Sequence, residues 1–122
     1  MTMAGYSSVL VTKGDYESAY DIAKKAIVLD PDNFMAWFAF GDAASMTNRI
    51  DEAIHAYEYA LSLDPTHQSA LIFQYNIGSL SLVQGNFPKA RLSFEKALQI
   101  DDLQALIWLN KGAAEYESWG LR

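Results

Sequence analysis

The sequence predicts an all-α chain made of one repeated helical unit, and three observations carry that prediction. Residues recur at a fixed step: Ala19 to Ala53, Ala26 to Ala60, Asp30 to Asp64 and Pro31 to Pro65 are each separated by 34. Apolar residues inside each copy fall at helical spacing, as Ile50, Ala53, Ile54, Tyr57, Ala60 and Leu61 do. Helix-breaking and turn-forming residues punctuate the runs, with Gly14, Asn48 and Gly85 at one kind of boundary and Pro31 and Pro65 at the other.

The second step is 37: Gly41 to Gly78, Ala53 to Ala90, Tyr57 to Phe94 and Ala60 to Ala97; the next, Gly78 to Gly112, returns to 34. Pro31 to Gly41 spans ten residues and Pro65 to Gly78 thirteen, while Gly41 to Asn48 and Gly78 to Gly85 both span seven. The three extra residues therefore lie between Pro65 and Gly78. Three residues are nearly one helical turn. The expectation is a helix that begins one turn early, near Thr66 or His67, with a longer loop as the alternative.

The copies fall at about 1–32, 33–66 and 67–102, followed by a helix over 103–119, within one domain. In the first copy Met3 stands where Trp37 stands, Ser7 where Gly41 stands and Leu10 where Ala44 stands. That opening helix is weak, as a terminal unit with no neighbour often is. After Gly14, Asp15 is the expected N-cap of a helix running to about Val28, with acids in its first turn suiting the helix dipole. Pro31 stops that helix, since proline lacks the N–H needed to continue it. Asn33 is the expected N-cap of a helix over 34–46, and the turn at Thr47-Asn48-Arg49 leads into a helix over 51–63. The third copy gives a helix up to Val83, a Gln84-Gly85-Asn86 turn, and a helix over 88–98 opened by Pro88, a residue favoured in the first turn. The last helix carries Trp108 and Gly112. Lys111 stands there where Phe40 and Ile77 stand, and Glu115 where Ala44 and Ser81 stand. That i,i+4 ion pair polarises the face on which a further helix would pack, which favours a solvating cap over a piece of a longer array.

The recurring phrase Trp37-x-x-Phe40-Gly41, Ala53-x-x-x-Tyr57-x-x-Ala60 and Pro65 resembles the tetratricopeptide repeat, a helix–turn–helix unit with a period of about 34 residues. The resemblance covers the whole chain, as about three repeats and a C-terminal helix. It implies a right-handed α-solenoid of antiparallel helix pairs, about seven helices in all. It also implies that the small residues at 41, 78 and 112 let paired helices approach while Tyr57 and Phe94 fill the adjacent space. Glycine inside a helix costs roughly 0.5–1 kcal/mol against alanine, so repeat-spaced glycines require such a reason.

Composition sets limits on function. The net charge of −6, with nine Lys and Arg scattered among fifteen acids, disfavours nucleic acid as a partner, since clustered basic residues supply most of that affinity. No uninterrupted apolar run reaches 18 residues, so no membrane span is expected. The first dozen residues lack a basic start and a cleavage pattern, and the expected location is cytoplasmic. With no cysteine and only His55 and His67 as histidines, no metal-ligand set or cofactor is expected. No base stands beside a nucleophile and no glycine-rich phosphate loop occurs, so the chain is not expected to be an enzyme.

In solenoids of this kind the first helix of each pair lines a concave groove. Offsets from the repeat glycines give the expected peptide-binding lining: Met35, Phe38, Ala39 and Asp42; then Ile72, Tyr75, Asn76, Ser79 and Leu82; then Leu106, Leu109, Asn110, Ala113 and Tyr116. The two asparagines can both donate to and accept from an extended peptide backbone. Members of the family that hold acidic chaperone tails use a two-carboxylate clamp of Lys, Arg and Asn. At the corresponding positions this chain has Ala4, Ser8, Ala39, Ile72 and Asn76, so only one Asn matches. The expected partner is another protein's peptide or helix, apolar to mildly basic. The alternative reading is a homo-oligomer, joined through Trp119, Leu121 and the early start of the third copy.

Overall fold

The computed structural model describes residues 2–100 and contains six α-helices among them: α1 (Met3–Lys13), α2 (Tyr16–Leu29), α3 (Phe34–Met46), α4 (Ile50–Leu63), α5 (Ala70–Val83) and α6 (Phe87–Ile100). The described residues include no strand. The chain divides into two compact units, Met1–Pro65 and Thr66–Arg122. The first holds α1 to α4, with α1 packed on α2 and α3, α2 on α3, and α3 on α4; in the second, α5 packs on α6.

Each helix pair turns the same way, and the backbone shows why. Gly14, Asn48 and Gly85 adopt left-handed φ angles of 84°, 61° and 76°. The following N–H then reaches back five residues: Asp15 to Leu10 at 2.9 Å, Arg49 to Ala44 at 2.8 Å and Asn86 to Ser81 at 2.9 Å. These bonds satisfy carbonyls that a helix end leaves open, in the Schellman manner, and the left-handed residue is glycine or asparagine because a larger side chain is strained there. The turn also corrects one expectation. Asp15 precedes α2, but its side chain makes no capping bond; its backbone N–H is committed to Leu10, and the turn is held by backbone alone. Asn33 does cap α3, its Oδ1 accepting from the Ala36 N–H at 3.1 Å.

The three extra residues of the third copy do not start its helix a turn early. Residues 66–69 form a turn, and α5 begins at Ala70. The expected overhang is thus a longer loop, with one of the three residues taken into the helix: Ala70 to Gly78 is eight residues against seven from Phe34 to Gly41. The loop has its own bonds. The His67 carbonyl accepts from the Ala70 N–H at 2.9 Å, and His67 Nδ1 accepts from the Ser69 N–H at 3.0 Å. These give the backbone a local alternative to a helical turn.

Small residues and rings interlock within each pair. A Cβ placed on Gly41 would stand 2.7 Å from Tyr57 Cε1, and one on Gly78 would stand 2.5 Å from Phe94 Cε1. Tyr57 and Phe94 are buried, and Ala19, Ala53 and Ala90 have no exposed surface. The first pair solves the same problem with the sizes exchanged. Ser7 replaces the glycine and Ala23 the ring, both fully buried, and the Ser7 hydroxyl donates to the Ala19 carbonyl at 2.7 Å.

Within the first unit a mixed lock joins the starts of α2 and α4. The Tyr20 ring lies 5.4 Å from Phe40, and its hydroxyl donates to Glu52 Oε2 at 2.7 Å. The Arg49 guanidinium covers the same ring at 3.8 Å and pairs with Glu17 at 3.3 Å. Burial, and then the Glu52 carboxylate, push the Tyr20 phenol above its ordinary pKa.

Candidate peptide-binding faces

The expected lining residues lie on α3 in the first unit and on α5 in the second, where they repeat one arrangement. Phe38 is half-buried with its ring 6.5 Å from Tyr57. Tyr75, 37 residues on, is half-buried with its ring 5.9 Å from Phe94. Each aromatic therefore rests on the ring that also fills the space above a glycine. Core packing fixes its position, and its outer edge remains accessible. Met35 and Ile72, again 37 apart, are 52% and 51% exposed.

The remaining expected residues differ in accessibility. Ala39 is buried and offers packing rather than contact area. Ser79 and Asn76 are half-buried, and among the described residues the Asn76 side chain makes no hydrogen bond. Leu71, Tyr75 and Leu82 pack against the core of Ala90, Phe94, Ala97 and Leu98. Leu106, Leu109, Asn110, Ala113 and Tyr116 lie outside the described residues.

Asp42 has a partner that the sequence reading missed. Its Oδ1 accepts from the Tyr57 hydroxyl at 2.5 Å. Burial raises the Asp42 carboxyl above the usual carboxylate range, opposed by the hydrogen bond from Tyr57. The signal was a paired exchange: where the first unit has Asp42 and Tyr57, the second has Ser79 and Phe94, losing the acid and the hydroxyl together.

Other polar candidates are accounted for locally. His55 is exposed, and His67 belongs to the loop before α5. Trp37 donates its indole N–H to the Pro31 carbonyl at 2.7 Å and lies 4.5 Å from the Tyr59 ring. Among the described residues no three His, Asp or Glu side chains group as a metal site. No described helix is long and apolar enough to cross a membrane.

Repeated helix pairs, each closed by a left-handed turn and two of them packed ring against glycine, define a helical-repeat protein. The tetratricopeptide repeat model matches residues 7–67 and 38–105, and the chain belongs to that family. A peroxisomal targeting signal receptor of Saccharomyces cerevisiae is 33% identical over 79 residues, covering 65% of this chain but only 12% of the receptor's length. The solved structure of MamA superposes with a TM-score of 0.87 at 26% identity, covering 98% of this chain and 63% of that one. The Yersinia enterocolitica type III secretion chaperone SycD, solved with a peptide of the translocator YopD, gives a TM-score of 0.84 at 18% identity, covering 95% and 92%. The fold is thus all-α and of the tetratricopeptide solenoid class.

Proposed function

We propose that this chain is a non-enzymatic interaction module that holds a peptide or an amphipathic helix of another protein through its repeats, α3 in the first unit and α5 in the second each offering a candidate face. The matched pairs Phe38–Tyr57 and Tyr75–Phe94 are the observation that supports this most. Each presents a half-buried aromatic held rigidly from beneath, beside an exposed aliphatic side chain. Preorganised aromatic anchors lose little entropy on binding and so serve well as hot spots. Asn76, with its side-chain amide unbonded among the described residues, is the natural reader of a partner backbone. The fold neighbour SycD was solved in complex with a peptide of the translocator YopD, which supports reading this chain as a peptide-binding module.

The partner is apolar to mildly basic. Met35, Phe38, Ile72, Tyr75 and Leu82 supply apolar surface, and Asp42 is the one acid among the proposed lining residues. The carboxylate-clamp mode is not proposed, because Ala4, Ser8, Ala39 and Ile72 stand where the clamp needs polar or basic groups. By their place in the repeat, Leu106, Leu109, Asn110, Ala113 and Tyr116 are further lining residues of the proposal.

The test uses residues whose removal spares the core. Ile72→Ser with Asn76→Ala, and separately Met35→Ser, should each weaken capture of partner peptides from a displayed library by about tenfold or more, with helicity and melting unchanged. Tyr75 is unsuitable for a clean test because its ring packs on Phe94. Unchanged peptide selection in both variants would refute the proposal.

A further inference from the structure

The two candidate faces share a register and differ in one charge. On α3 the row Met35, Phe38, Asp42 and Met46 steps by three and then four residues, the spacing that keeps side chains on one side of a helix. A shift of 37 places this row on Ile72, Tyr75, Ser79 and Val83 of α5. Both rows begin and end on apolar side chains that are more than half exposed, and both carry a half-buried aromatic at the second place. The third place alone differs in charge, an acid on α3 against a hydroxyl on α5.

Asp42 is half-buried, and its Oδ1 accepts from the Tyr57 hydroxyl at 2.5 Å. The Tyr57 ring is buried over Gly41, so this bond ties the carboxylate to the core and holds it in one place. Among the described residues Oδ2 makes no hydrogen bond, and no Lys or Arg pairs with Asp42. Burial raises the carboxyl above the usual carboxylate range, and the bond from Tyr57 offsets this only in part. An ionised acid at this place therefore costs stability. The second unit does without it, since Ser79 and the buried Phe94 fill the same two places with neutral groups. A charge that the repeat can replace, and that it keeps at a cost, calls for a use outside the fold.

We propose that Asp42 determines the specificity of the α3 face by pairing with the charged end of a lysine or arginine of the partner, whereas the α5 face, with Ser79 in its place, has no such preference. The inference rests on the peptide-binding reading of these faces and adds the chemistry of one contact. Phe38 precedes Asp42 by one helical turn, and a basic side chain suits that pair of neighbours. Its methylene stem covers apolar surface while its head stays with the polar group, and a cation beside an aromatic ring gains further attraction. A half-buried carboxylate is also less screened by salt than an exposed one, so the pairing discriminates strongly against neutral and acidic side chains. Tyr57 acts through Asp42 as a positioning residue.

Peptides selected from a displayed library on the full wild-type chain and on Asp42→Asn, compared by sequence, test this. The exchange keeps the shape of the side chain and an oxygen for the Tyr57 hydroxyl, so its melting temperature should be no lower than that of the wild type. The wild type should enrich Lys or Arg at one position among apolar residues, and Asp42→Asn should keep the apolar preference and lose the basic one. For a selected peptide, replacing the basic residue by methionine should weaken binding to the wild type about tenfold and to Asp42→Asn less than about twofold. Asp42→Ser with Tyr57→Phe installs the pair that the second unit already uses, and it should show the same loss if Asp42→Asn folds poorly. A wild type that selects apolar peptides without a basic residue overturns this inference and leaves peptide binding standing. Equal weakening of the methionine peptide on wild type and variants overturns it as well. A wild type that selects no peptide overturns both this inference and the reading on which it rests.

Discussion

Gly41→Ala puts the packing logic of the repeat to its hardest test, because two physical effects oppose one another there. In an unconstrained helix the exchange stabilises by roughly 0.5–1 kcal/mol, since alanine loses less backbone entropy. Here the new methyl would stand 2.7, 2.9 and 3.0 Å from Cε1, Cδ1 and Cζ of Tyr57. Three ring atoms within 3.0 Å cannot be relieved by a small rotation, and Tyr57 is buried with its hydroxyl tied to Asp42. Overpacking a tight site costs about 1–3 kcal/mol, so the net expectation is destabilisation by about 1–2 kcal/mol. For a chain of this size that is a fall in melting temperature of about 3–10 °C. Thermal unfolding followed by circular dichroism measures it, and Tyr57→Leu placed in the Gly41→Ala background should recover part of the loss by removing the ring. A melting temperature that rises in Gly41→Ala would mean that the helices can separate freely at this contact, and the close-approach account of the glycine would be wrong.

Other outcomes follow from the same contacts. Tyr20→Phe keeps the ring stacked on Phe40 and under Arg49 but removes the donor to Glu52, so urea denaturation should show a loss of about 1 kcal/mol. Ser7→Ala empties little volume but leaves the buried Ala19 carbonyl without its side-chain donor, with an expected loss of about 1 kcal/mol by the same assay. Asp42 titrates with its folded pKa raised by burial, so its charged form costs stability at neutral pH. That cost should fade as pH drops through the raised folded value toward the unfolded carboxylate value of about 3.9. Asp42→Asn should therefore be more stable than the wild type at pH 7 and lose that advantage by about pH 3.5, as read from denaturation at a series of pH values.

Turns and spacing were legible in the sequence because backbone constraints act locally. Gly14, Asn48 and Gly85 mark the expected turns, where each takes a left-handed φ, and alanine, glycine and ring recur at the step that packing demands. The two misjudged points, Asp15 as a cap and an early start for α5, both turn on hydrogen-bond choices between near-equal local options. Asp15 could cap with its side chain or close the turn with its N–H, and it does the latter. Residues 66–69 could add a helical turn or bond through His67, and they bond through His67. Composition cannot rank alternatives that differ by about one hydrogen bond, near 1 kcal/mol.

The candidate faces were legible in register, and their accessibility was not. An offset from a glycine says which side of a helix a residue occupies, but how deep it sits depends on the partner ring. Ala39 and Met35 illustrate this, one buried and the other half-exposed on the same helix. The first helix pair shows the same dependence from the other direction. Met3 for Trp37 reads as an ordinary terminal variation when taken singly, and Lys25 for Tyr59, on the second helix of the pair, carries no signal of its own. Only the 4.5 Å ring contact that their counterparts make in the second pair shows that the two exchanges remove one contact together. Paired exchanges between copies of a repeat, as with Asp42–Tyr57 against Ser79–Phe94, therefore carry information that single positions lack. They mark where one copy has given up a contact that the fold itself does not require.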